Sequence, residues 1–280
     1  MIYIAVVTIY VLMLLGISVY KSRSVKTDED FMVAGRGVPV YMLVATLVCT
    51  WIGSGSLFGT AGLTFRTGIS ELWFSSGAWI GILVVYLIAA RVRRIAQYTL
   101  TDLLEKRYSQ LAKVLGTITI IIAYMVIAGY QFKGGGRFIA ILSDGAITPE
   151  TGMLIAAALI IGFTVLAGMV SIVSIDVFNG SIMLLAMIVT LPVAVMGHGG
   201  VDAVITTIEQ TQPTHLSIMG GHDFVWVLGI ALPTFLLLMS ESSMYQKFSS
   251  ADSAQNARRA VMGMFIGCLL YTSPSPRDKI

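Results

Sequence analysis

Charge is what this sequence lacks most. Only 12% of its 280 residues are Asp, Glu, Lys or Arg, about half the share of a soluble domain. A soluble globule of this length must cover its exterior with polar groups, and too few are present to do so. That excludes a soluble enzyme, a nucleic-acid-binding domain and a disordered chain. Cysteine is equally sparse. Cys49 and Cys268 are too few for a disulfide scaffold and form no C-x-x-C pair for a metal. His198, His215 and His222 share one polar stretch and read as solvated loop residues rather than zinc ligands. There is no G-x-S-x-G, no H-E-x-x-H and no pair of catalytic carboxylates, so no enzyme, no cofactor and no resident metal are expected.

Apolar residues are abundant instead, at 56% of the chain with a mean hydropathy of +0.84. The natural solvent is a bilayer, which a helix of about 20 apolar residues can cross. Such runs occupy residues 2–20, 38–65, 72–90, 114–133, 153–170, 172–196 and 224–244, and an eighth begins at 260 and stops at 267. The expected fold class is therefore an all-α integral membrane bundle with seven full spans and the start of an eighth. Lys and Arg concentrate in the segments 21–37, 91–113 and 247–259, whereas Arg66, Lys133 and Arg137 fall on the other side. The positive-inside rule makes the three basic segments cytoplasmic and places the N-terminus outside a plasma membrane. The first run is no cleaved signal, because its basic residues follow the apolar stretch. Between 197 and 223, apolar residues at 201, 204, 205 and 208 predict a short interfacial helix.

The second run is too long for a straight crossing, and its middle reads Trp51-Ile52-Gly53-Ser54-Gly55-Ser56-Leu57-Phe58-Gly59-Thr60-Ala61-Gly62. Each glycine costs a helix interior about 1 kcal/mol relative to alanine, so a broken second helix is expected. A break inside a bilayer either lines a cavity, offering carbonyls to a cation such as Na⁺, or lets helices pack closely through small residues. Gly55 and Gly59 fit both. Asp176, inside an apolar run, is either a cation-handling group or a charge near a helix start that reaches water and favours the dipole. Glu241, near the end of the seventh run, reads as a carboxylate snorkelling to the headgroups.

Four stretches resemble the sodium:solute symporter family, whose fold is of the leucine-transporter type. They are Asp30-Phe31-Met32-Val33-Ala34-Gly35-Arg36; Trp51 to Gly59; Tyr98-Thr99-Leu100-Thr101-Asp102-Leu103-Leu104-Glu105-Lys106-Arg107-Tyr108; and the pair Ser174–Asn179 with Met244–Phe248, followed by Ala257-Arg258-Arg259-Ala260. The resemblance implies Na⁺-coupled uptake of a small organic solute by alternating access. It implies that the backbone carbonyls of Cys49 and Ile52 bind sodium and that Asp176 lies on the sodium exit path. Ser56, Ser75 and Thr234 fall at solute-facing positions, and Leu237 at the inner gate. In sugar-transporting members these four carry larger polar or aromatic groups, so a solute smaller than a sugar is expected. The expected partners are that solute, Na⁺ and the lipid bilayer, with no nucleic acid. Some proteins similar to this family fuse the same helices to a signalling kinase, so a membrane-embedded sensor is the alternative. The last residues, Cys268–Ile280, resemble a translated sequencing adapter. They are set aside as non-native, which makes residues 1–267 an N-terminal fragment of a transporter domain.

Overall fold

A computed structural model of the chain describes residues 2–53, 55–95 and 99–271. Ser54, Tyr98 and the segment 272–280, all singled out from the sequence, lie outside the described residues. α1 (Ile2–Ser22) leads into α2 (Asp28–Val33). Thr27 and Asp30 cap α2 reciprocally, each side chain accepting the other's backbone N–H at 3.1 Å. Ala34, Gly35 and Arg36 then turn with φ of +51, +60 and +54°. Val38 emerges extended, donating its N–H to Ser250 O and accepting from Asp252 N–H, both at 3.1 Å. That bridge ties the lead-in of α3 (Val40–Trp51) to Ser250 and Asp252.

α3 stops at the glycines. Ile52 leaves the helical path (φ −85°, ψ 100°), one wide turn follows at Gly55–Thr60, and α4 (Ala61–Thr67) resumes. α5 (Leu72–Ile95) follows a tight turn at Gly68–Glu71, and α6 (Leu100–Arg107) begins with a second reciprocal cap between Thr99 and Asp102. The long helices α7 (Gln110–Leu142) and α8 (Pro149–Gly197) form a hairpin. α9 (Val201–Thr211) covers the stretch predicted to be interfacial, and α10 (Phe224–Ser240), α11 (Ser242–Ser250) and α12 (Ala254–Tyr271) complete the described chain.

The expectation of seven full spans plus an eighth is not met. Among the described residues, four helical stretches are long and apolar enough to cross a membrane: Ile4–Ser22, Phe58–Ile95, Gln110–Leu142 and Gly168–Gly197. Counting α10 with α11, bent by 41°, gives five. Glycine causes most of the difference. The break after Trp51 leaves α3 with 12 residues, and the second half of that run joins α5 instead. The fifth and sixth runs are two helical segments that meet without a loop at a kink at Gly168 (φ +54°), where a Cβ would strike the Phe31 ring, and the first of them, Pro149–Gly162, is too short to count. α12 carries Gln255, Asn256, Arg258 and Arg259 in its first turns and is too polar there to count.

The core holds Leu43, Leu47, Ile82, Val85, Phe248, Val261 and Met264, all fully buried. Two seams are close enough to need glycine, and a third is made of small side chains. On α5, a Cβ at Gly77 would sit inside the Ala231 carbonyl of α10 and 3.1 Å from Phe235 N. At the α7–α8 crossing, a Cβ on Gly136 would lie 2.5 Å from Pro149 O. α3 meets α8 through Ala45, Cys49 and Gly180, where a Cβ on Gly180 would have Cys49 Sγ at 3.4 Å and Ala45 Cβ at 3.6 Å. The outer faces of α1, α7 and α8 expose Val6, Ile9, Ile122, Met125, Val126, Leu185 and Ile188. Such an apolar exterior is stable only against lipid, and the chain is a multi-pass membrane protein.

Candidate cation and solute site

The end of α3 is where backbone becomes available. The last carbonyls of any helix lack an intrahelical partner. Here Ile52 N–H takes Val48 O at 3.0 Å and the Ser56 hydroxyl takes Trp51 O at 2.9 Å. Cys49 and Ile52, the carbonyls implied for sodium, flank this interruption. α7 closes over it. A Cβ on Gly53 would collide with the Gln131 amide, its Cδ 3.1 Å away, and Tyr130 lies within 3.9 Å of equivalent positions on Gly55 and Gly59. Gln131 and Tyr130 were not singled out from the sequence; only the absence of a side chain at Gly53 hinted that something approaches it.

Asp176 faces the same part of α3. Its carboxylate accepts a short hydrogen bond from the Thr46 hydroxyl, and its backbone carbonyl accepts the Cys49 thiol at 3.3 Å. It lies eight residues beyond the kink at Gly168, about 12 Å along the helix. The helix-start reading of this charge therefore does not hold. One turn on, Asn179 Oδ1 accepts the Tyr10 hydroxyl at 2.6 Å.

Lys247 is the residue that sequence reasoning misplaced. Counted there with the basic segment 247–259, it is 5% exposed. α11 is buried on nearly every side, through Met244, Tyr245, Phe248, Ser249 and Ser250 besides Lys247. Its ammonium donates to Thr46 O at 2.9 Å and to the Thr50 hydroxyl, and it stands 3.7 Å from Asp176 Oδ2. Removing one member of such a buried pair costs about 3–5 kcal/mol, so neither charge is incidental.

Glu241 sits at the bend between α10 and α11 with an extended backbone (ψ 97°). Rather than reaching for headgroups, its carboxylate accepts a short hydrogen bond from the Tyr124 hydroxyl and another from Ser243 Oγ at 2.8 Å. Tyr124 also accepts Ser243 N–H at 3.0 Å, so one α7 residue fixes the joint.

The implied solute-facing residues are partly dispersed. Ser75 and Thr234 are buried on the facing helices α5 and α10. Ser75 Oγ donates to Glu71 at 2.8 Å and Thr234 Oγ1 to Ile230 O at 3.1 Å. Glu71, 3% exposed, is a further buried carboxylate that the sequence reading passed over. Ser56 belongs to the break. Leu237 is 48% exposed, turned away from the α5 seam that buries Thr234 and Leu238. Among the described residues no group of three or more His, Cys, Asp or Glu could hold a metal. His198 and His215 each meet a backbone carbonyl and His222 stacks on Trp226.

A sequence profile of the sodium:solute symporter family matches residues 31–273. The chain belongs to that family. It is a transporter-family protein, not an enzyme. The match takes in nearly the whole chain and crosses the boundary drawn at 267, which corrects the division into residues 1–267 and a foreign tail from Cys268 onward. The structure supplies the physical reason. Ala257, Ala260, Val261, Met264 and Cys268 form one buried helical stripe, so Cys268 continues the helical period, and α12 runs to Tyr271.

The chain is 24% identical over 273 residues to the sodium/proline symporter of Escherichia coli K12, covering 93% of this chain and 54% of that protein. It is 27% identical over 225 residues to the sodium/pantothenate symporter of the same strain, covering 77% and 46%. An osmoregulated proline transporter of Bacillus subtilis is 26% identical over 229 residues, 79% of this chain and 46% of that one. The chain thus spans about half the length of the curated relatives it matches. The solved structure of a substrate-bound, outward-open Na⁺-coupled sialic acid symporter superposes with a TM-score of 0.84 at 16% identity, over 97% of this chain and 58% of that one. The bundle therefore has a leucine-transporter-like fold with the reduced span count described above.

Proposed function

We propose that the protein takes up a small organic solute by alternating access, driven by Na⁺ moving inward. The observation that carries this reading is the interrupted α3, which faces Asp176 across a buried polar contact. In a bilayer, freed carbonyls beside a carboxylate suit a hard monovalent cation. The carbonyls of Cys49 and Ile52 bind sodium, and Asp176 lies on its way out. Ser56, Ser75 and Thr234 face the solute, and Leu237 stands at the inner gate. Their short side chains favour a solute smaller than a sugar. The names of the relatives put proline first among the candidates and pantothenate second. The basic segments lie in the cytoplasm and the N-terminus outside a plasma membrane. The Val38–Ala251 bridge and the 2.6 Å bond from Arg93 Nε to Ala251 O support that sidedness by drawing all three basic segments to one end of the bundle. The test is uptake into proteoliposomes under an imposed inward sodium gradient, starting with proline and pantothenate and extending to other amino acids, monocarboxylates, sugars and quaternary amines. Uptake that collapses without the gradient is expected. Uptake that ignores sodium and follows a proton gradient would overturn the coupling.

A further inference from the structure

We propose that Lys247 is a tethered counter-cation: its ammonium occupies the oxygens beside Asp176, holds α11 across α3 and α8, and must withdraw before a free cation can pass. This rests on the reading of Asp176 as part of a cation path.

Three observations support it. First, the surroundings of Nζ are those of a small cation rather than of a lone lysine. A carbonyl (Thr46), a hydroxyl (Thr50) and a carboxylate (Asp176) converge on it from two helices, all hard oxygen donors of the kind that bind monovalent ions. Second, the ammonium and the Thr46 hydroxyl both address Asp176 Oδ2. The carboxylate's charge is therefore already answered, and a free cation would have to displace the ammonium or share the oxygen with it. Third, Lys247 rides on a short helix joined to α10 only through the bend at Glu241. A joint with an extended residue can change angle while the helices on either side stay intact. Besides Lys247, α11 is held by the Val38 bridge, by Gln246 Nε2 donating to Met32 O at 2.8 Å, by Tyr124 at the bend and by the buried Met244 and Phe248, so withdrawal of the ammonium releases α3 and α8 while α11 stays seated. Lys247 is thus a positioning residue, acting through Asp176.

Cys49 is a native reporter of this contact, since its thiol bonds to the Asp176 backbone. With Cys268 replaced by alanine it is the only thiol in the chain. The rate at which a small maleimide modifies Cys49 is measured in the detergent-purified 280-residue protein. Lys247→Met should speed modification about tenfold, Lys247→Arg should stay within about threefold of the parent, and Asp176→Asn should match Lys247→Met. Because both variants break one contact, the double variant should be no faster than either alone. Unchanged labelling in Lys247→Met, or rate increases that multiply in the double variant, would overturn the proposal. Should Lys247→Met fail to give a folded protein, Asp176→Asn decides alone, since it keeps the shape and removes the charge; parent-like labelling there refutes the tether. Repeating the series with sodium chloride against choline chloride separates the two readings. Faster labelling in Lys247→Met with no sodium effect in any variant keeps the tether and refutes the sodium role of Asp176.

Discussion

Replacing Gly77 with alanine tests the seam on which the solute-facing positions depend. A Cβ there would lie 2.9 Å from the Ala231 carbonyl carbon and closer still to its oxygen, whereas unstrained carbon atoms approach to about 3.5–4.0 Å. The helices must therefore part by about 0.6–1 Å. The obstruction is backbone on a packed helix, so no side chain can swing aside to relieve it. Overpacking of this kind costs about 3 kcal/mol, and alanine's better helix propensity returns about 1 kcal/mol, leaving a net loss of about 2 kcal/mol. At about 2–4 °C per kcal/mol for a chain of this size, the Tm in detergent should fall by about 4–8 °C. Gly129→Ala is the matched control. It lies in the interior of α7 with nothing within 4 Å of its Cβ, so only the propensity gain remains and its Tm should rise slightly. The comparison is read by thermal unfolding of the purified variants side by side. A Gly77→Ala protein as stable as Gly129→Ala would refute the backbone-to-backbone packing of α5 on α10.

Two further outcomes are expected. Asp176→Asn should raise the sodium concentration for half-maximal uptake about tenfold, an effect of about 1.4 kcal/mol, while membrane insertion is unaffected; unchanged sodium activation would remove Asp176 from the cation path. Asp102 lies outside the spanning helices. Burial pushes its carboxyl up, but the Thr99 hydroxyl and the Lys113 ammonium outweigh that and hold it below the ordinary 3.8. A depressed carboxyl contributes stability above its unfolded pKa and loses it as pH falls through the folded value. The Tm should accordingly drop below about pH 4, and Asp102→Asn should flatten that acid limb; an unchanged limb would show that the cap at Thr99 does not depend on the charge.

How far the sequence could be read depended on whether the deciding signal was local. The glycines of 53–59 announced a break because several fell within one turn or two; the cap of Thr99 with Asp102 is equally local, although that stretch was read only as a family-like motif. Gly168 gave no such notice. One glycine in an apolar run is compatible with a loop, a straight helix or a kink, and the choice was made by Phe31, over a hundred residues away, packing against it. That single ambiguity decides that the two segments meet at a kink, the first of them too short to span. The site followed the same rule. Asp176 stood out as a charge among apolar neighbours, but Lys247 did not, because its partners Thr46, Thr50 and Asp176 come from other helices. Glu241 was misjudged for the same reason, since its position is set by Tyr124 on α7.

The α3–α8 contact has a mechanical consequence. Where Ala45, Cys49 and Gly180 meet, neither helix presents a ridge that interlocks with the other. Most helix pairs resist sliding because each side chain must climb out of its groove. Here the two surfaces form a slip plane, along which shear meets little steric friction. Resistance is concentrated instead in the few polar pegs that cross it: Thr46 and Cys49 on Asp176, with Lys247 driven in from the side. A bearing built this way is stiff while pinned and loose once unpinned, so displacement between the two helices proceeds as a switch rather than a gradual flexing.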